Sequence, residues 1–230
     1  MLILPMAGFS PFNQENVSLS ATPTPGGING VWVTLIGGGC GGERGVSSAS
    51  KMQRSGGDGG GGGGRIHRIF IPASLLGPTY TIQRGLGGLG AQTSSTGPVR
   101  GSASIFQSGS VTLTANGGGS SSTLVTGGTF TFSGITGVLG QNGGRGADNL
   151  GNAGSPSQGA GAGGGQGSSI NSNDNTVAGK PGGNGVLYQG VQGGDPGGLY
   201  GGGGSGSSAS RTSSAVGRAG GDGYSLLEWV

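Results

Sequence analysis

The sequence predicts an all-β protein, an antiparallel β-sandwich that carries a long glycine-rich insertion with polyproline-II-like or loop backbone, and three observations support this. Apolar residues fall in short runs rich in β-branched and aromatic types, at 31–36, 66–71, 80–82, 105–106, 111–113, 130–132 and 224–230, and several of these alternate with polar residues at period two. Glycine accounts for 63 of 230 residues, beside 10 prolines, and each glycine inside a helix costs about 1 kcal/mol relative to alanine, so helices cannot propagate. Charged residues are only 8% of the chain and the net charge is +3, unlike the self-repelling composition that keeps a chain unfolded.

Residues 1–29 read as an N-terminal docking arm that lies on a neighbouring subunit. The segment is too apolar at "LILPMAGF" for a solvated tail, and Pro23 and Pro25 favour extended backbone without a ladder. Its opening has no basic region and is shorter than the ~20 apolar residues that span a bilayer, so neither secretion nor membrane insertion is expected. Residues 30–230 read as one glycine-rich β domain: strand-rich over 30–136, inserted over 137–222, and closed by a strand at 223–230.

The first strand, "VWVTLI", runs into Gly37, Gly39 and Gly42, the spacing of a dinucleotide fingerprint. That site needs a helix after the glycines to hold the phosphate. The following "VSSASKMQRSGGDGGGGGGR" cannot make one, so these glycines are expected to end a strand and let backbones approach closely, and no cofactor is expected. "RIHRIFI" follows, then a Gly77-Pro78 turn, then "TYTIQR", "SVTLTAN" and "TFTFSGI". Their alternation places Tyr80 and Ile82, Val111 and Leu113, and Phe130 and Phe132 on the buried face. Over 137–222 the glycines do not keep the third-residue spacing of collagen. "GYSLLEWV" then restores a strand, so the glycine-rich zone is an insertion whose far end is tied down.

Glycine loses the most backbone entropy on folding and adds no side-chain burial. With 30% hydrophobic residues, a lone chain is expected to be marginal, relieved by glycine backbones bonding across chains and by identical subunits sharing a core. A closed homo-oligomer follows, with Trp32 and Trp229 as its assembly residues; Trp229 stands beside Leu227 in the closing strand.

Few residues could carry chemistry. Cys40, Asp58 and His67 are the candidates for nucleophile, acid and base. His67 sits in a strand that could present it on either face, and Cys40 reads as a small residue tolerated among glycines. The acids show no pairing in sequence suited to acid–base work, and Asp174 lacks the alternate acids of a calcium loop, so no metal is expected. The basic residues are spread singly, without interleaved aromatics, which argues against nucleic acid despite a pI of 9.4. Tyr188 and Tyr200 are the aromatics of the insertion; each either packs locally or is presented to a partner.

Taken in order, "VWVTLIGGGCGG", "RIHRIFIP", "GPTYTIQRGLGGLG", "GSASIF" with "SVTLTANGGG", and the closing "GGDGYSLLEWV" resemble the glycine-rich domain of tailed-bacteriophage tail proteins, such as minor tail, tail-tip and fibre adhesin proteins. The resemblance runs from about Gly30 to Val230. Arg84 stands where that family more often has a small or β-branched residue, and "GTFTFSGITGV" is an added strand-like element. The resemblance implies a non-enzymatic virion protein, made in the host cytoplasm and placed in the tail. Its implied partners are copies of itself, as a trimer, other tail proteins and a host cell-surface component. The alternatives are a tail depolymerase acting on host glycan, which needs two carboxylates about 5 to 9 Å apart, and an ice-binding or wall-type protein, which calls for regular tripeptides or a secretion signal.

Overall fold

In the computed structural model the residues described are 9–45, 57–93, 96–119, 126–146, 200–204, 206 and 216–230. Their apolar runs form strands β1 (Phe12–Glu15), β2 (Leu19–Pro23), β3 (Gly30–Ile36), β4 (Arg65–Pro72), β5 (Thr79–Gln83), β6 (Ser104–Ser108), β7 (Val111–Ala115), β8 (Phe130–Ser133), β9 (Leu139–Gln141) and β10 (Tyr224–Trp229), with a single turn of 3-10 helix at Ala73–Leu75. Two five-stranded sheets result, in the orders β1-β10-β3-β4-β9 and β2-β5-β6-β7-β8, and every pairing is antiparallel. The described residues contain no α-helix.

Period-two alternation fills the space between the sheets. Val31, Val33, Leu35, Ile66, Ile71, Leu227 and Trp229 enter from one sheet, and Tyr80, Ile82, Phe106, Val111, Leu113 and Ala115 from the other. Tyr80, Ile82, Val111 and Leu113 therefore face inward as expected. Phe130 is only half-buried and Phe132 is 45% exposed, because β8 is an edge strand with no neighbour beyond it to complete the core wall.

The chain from Phe12 onward does not reach out as an arm. β1 pairs with β10 and β2 pairs with β5, so this segment adds an edge strand to each sheet of its own chain. Gln14 on β1 then spans the two layers: its Oε1 accepts from Tyr80 Oη at 2.7 Å and from Trp229 Nε1 at 3.0 Å. Two polar tips of large buried rings are satisfied by one side chain. β9 lies inside the zone read as an insertion and pairs with β4.

Candidate functional site

At one end of the sandwich the strands do not turn back. β3, β5, β7 and β9 run on into residues 37–43, 85–92, 116–119 and 142–146, while 57–64, 99–102, 126–129 and 216–223 lead into β4, β6, β8 and β10. These continuations carry most of the described glycines. They are joined to one another by backbone hydrogen bonds that follow a period of three, not two.

Residues 37–43 show the rule. The amides of Gly37, Cys40 and Glu43 donate to Gly64, Gly61 and Asp58; those of Gly38 and Gly41 to Ser102 and Val99; those of Gly39 and Gly42 to Gly221 and Arg218, all at 2.7 to 3.0 Å. Successive amides thus point in three directions about the segment axis, as in a threefold extended helix that has no internal hydrogen bonds. Carbonyls fill the intervening directions, where Gly38 accepts from Gly118, Gly39 and Gly42 from Gly88 and Ala91, and Cys40 from Gly204. Segment 37–43 is therefore the centre of six neighbours. Those neighbours are bonded in turn around the ring, through Gly64 to Asn116, Gly101 to Gly118, Val99 to Leu89, Gly220 to Gly88, Gly221 to Gly202 and Gly60 to Gly204. The outcome is a hexagonal lattice of polyglycine helices built within one chain, with a complete ring around segment 37–43. The backbone bonds expected to run between subunits are made here internally.

Close approach is why glycine is required. A Cβ on Gly37, Gly38, Gly39 or Gly41 would overlap the carbonyl oxygen of Asn116, Leu86, Gly202 or Leu89 respectively. Away from the centre the demand relaxes to a pattern: in residues 85–92 Leu86, Leu89 and Gln92 project outward while the residues between them face the lattice, Leu86 and Leu89 being 61% and 64% exposed. The glycines at 37–42 thus continue a strand into the lattice, and the fingerprint spacing there is incidental.

The junction between sheet and lattice is held by polar side chains whose roles sequence reasoning did not assign. Ser104, fully buried, donates to the Ile36 carbonyl at 2.6 Å and accepts from the Gly85 amide at 2.8 Å. Arg84 donates to the Gly223 carbonyl at 2.8 Å and pairs with Asp222 at 3.1 Å, and Asp222 also accepts from the Gly87 amide at 2.9 Å. Tyr200, one of the two insertion tyrosines, is half-buried here with its ring edge-on to Tyr224 at 4.7 Å. Its φ of 61° and the 80° of Gly201 turn the chain into the lattice. Tyr188 and Asp174 lie outside the described residues.

The candidates for a catalytic triad are not brought together. Cys40 is fully buried in the central segment, its thiol donating to the carbonyls of Gly41 and Val99 at 3.2 Å each. His67 is exposed on β4, where a register shift opposite Val33 to Leu35 leaves His67 and Arg68 both on the outer side. Beside it Arg68 lies 4.1 Å over the Trp32 ring and forms a two-pronged pair with Glu228 at 2.7 and 3.2 Å, and Phe70 covers Trp32 at 5.0 Å. Trp32 is thus an outer-face residue, whereas Trp229 is fully buried in this chain's own core. Among the described residues there is no group of three or more His, Cys, Asp and Glu arranged to hold a metal ion, and no helix long and apolar enough to cross a membrane.

The lattice does pair two acids that lie 15 positions apart in the sequence. At the end away from the sandwich the Glu43 amide donates to the Asp58 carbonyl at 2.7 Å. Burial, and then the Asp58 charge, push the Glu43 carboxyl above its ordinary range, against a smaller opposing backbone hydrogen bond from Asp58. The folded state accordingly holds this proton to a higher pH than the unfolded chain does. Its stability falls as pH rises from the ordinary glutamate range through the raised value. Glu43→Gln is expected to flatten that slope and to raise the denaturation midpoint at neutral pH, which urea titrations across the window would measure.

A family model described as a glycine-rich domain matches residues 16–230. No curated protein matches the chain.

Proposed function

From the premise that the chain belongs to this glycine-rich domain family, we propose that it is a structural, non-enzymatic protein of a tailed-bacteriophage virion. Its place is the tail tip or fibre, where it serves tail assembly, host attachment or both. The observation that carries this reading is the pairing of a two-sheet base with a lattice whose interior is almost all backbone. Such a body offers little side-chain chemistry and holds a rigid shape through many short hydrogen bonds, which suits presentation of a fixed surface to a partner. Its partners on this reading are neighbouring tail proteins and a host cell-surface component, with copies of itself in a closed trimer. The outer face bearing Trp32 and Phe70 is one surface of the base that such contacts would use on this reading.

A depolymerase would place its acids at Glu43 and Asp58, the pair that the lattice brings into electrostatic reach. The two readings part on a single variant. Particles carrying Glu43→Gln are expected to assemble and infect as wild type, whereas loss of glycan cleavage and infection from normally assembled particles would favour the enzyme. The location itself is tested by immunogold imaging of phage particles from cells that make this chain. Labelling at the distal end of the tail is expected; particles free of the chain would overturn the reading.

A further inference from the structure

Among the described residues the lattice is incomplete on one flank. Segments 100–103, 116–119 and 126–129 border an open groove of about 370 Å3, with glycines 101, 117, 119, 127 and 128 in its walls and Arg100 at its rim. The threefold rule says what faces it. In 116–119, Asn116 and Gly119 donate to Thr129 and Thr126 at 2.8 and 2.9 Å, and Gly118 donates to Gly38 at 2.8 Å. The one direction left belongs to the Gly117 amide, which meets no acceptor among the described residues, and the Gly101 carbonyl on the adjoining wall likewise meets no donor among them. Facing an open groove, both groups are left to solvent until a partner supplies a donor and an acceptor. Both groups border a space shaped by three lattice segments.

We propose that this groove, which no described residue fills, is a lattice position that takes an extended strand of another polypeptide with the repeating pattern x-Gly-Gly. The pattern follows from the lattice itself. In residues 85–92 a side chain is tolerated at every third position, as at Leu86 and Leu89, because that position faces outward. The other two positions are glycine throughout this segment except at Ala91, since a Cβ on Gly88 or Gly90 would overlap the carbonyls of Val99 or Gly217. A strand in the groove accepts from Gly117 N–H, donates to the Gly101 carbonyl, and turns its third residues to solvent. The inference rests on lattice geometry and stands apart from the tail reading.

The test uses the full chain, labelled with 15N, and a peptide of repeated Ser-Gly-Gly flanked by lysines. Shift changes confined to Gly101, Gly117, Gly127 and Gly128 are expected. With peptide at about ten times its dissociation constant, exchange of the Gly117 amide should slow about tenfold. A Ser-Ala-Ala peptide of equal length should leave these signals unchanged. Absent or scattered shifts, or equal binding of the alanine peptide, would overturn the proposal. So would a Gly117 amide already slow in dilute protein, which would mean that the chain fills its own groove, or slowing that grows with protein concentration, which would mean that a second copy does.

Discussion

Gly39→Leu is expected to destroy the lattice. Gly39 donates to Gly221 and accepts from Gly88, each at 2.8 Å, and a Cβ there would overlap the Gly202 carbonyl. Overpacking a side-chain core usually costs about 1–3 kcal/mol because neighbouring rotamers yield. Here the neighbours are backbone, and they yield only by breaking hydrogen bonds worth about 1 kcal/mol each. The expected loss therefore exceeds about 4 kcal/mol, the size that marks a disrupted core. Gly97→Ala is the matched control. Nothing lies within 4 Å of a Cβ at that position, so it should be neutral, or stabilising by about 0.4–1 kcal/mol through the unfolded chain. Urea denaturation of the two variants decides the matter, and equal midpoints would mean that residue 39 is not enclosed.

Trp229→Ala is the second large effect. The side chain is fully buried, its ring lies 4.9 Å from Tyr80 and 6.3 Å from Phe12, and its Nε1 is bound by Gln14. Removal costs about 3–5 kcal/mol by cavity formation and lost transfer energy. All these contacts are made within one chain, so the drop in denaturation midpoint should be the same at every protein concentration. Trp32→Ala removes a half-buried ring from the outer face and should cost much less. A Trp229→Ala deficit that shrinks as concentration rises would instead place this residue in a contact between subunits, as the sequence alone suggests.

The sandwich was legible because alternation survives wherever a strand is buried on one face, as at Tyr80, Ile82, Val111 and Leu113. It misled at Phe132, where alternation holds but the strand is at an edge. For the glycine-rich chain the sequence leaves polyproline-II-like and loop backbone both open. Its distribution was not legible, since the sequence points to one insertion at 137–222 while the lattice draws on glycines from 37 onward. The signal was there in "GLGGLG", where a side chain recurs every third residue at Leu86 and Leu89. That is the complement of collagen spacing, and a search for glycine every third residue passes over it. Central segments such as 37–42 show no period at all, because six neighbours leave no outward direction. What Ser104, Arg84 and Asp222 do was not legible for another reason, although Arg84 stood out as a departure from the resembled family. Their roles depend on which strand end abuts which lattice segment, a long-range fact with no local trace.

The claim on which the rest depends is that three successive amides of one segment bond to three different segments. Scalar couplings across hydrogen bonds, from amide nitrogen to carbonyl carbon, test it directly in labelled full-length protein. Gly37 should couple to Gly64, Gly38 to Ser102 and Gly39 to Gly221, with Cys40 returning to Gly61. Couplings from Gly37 and Gly39 to a single neighbouring segment, the mark of a β ladder, would contradict the lattice.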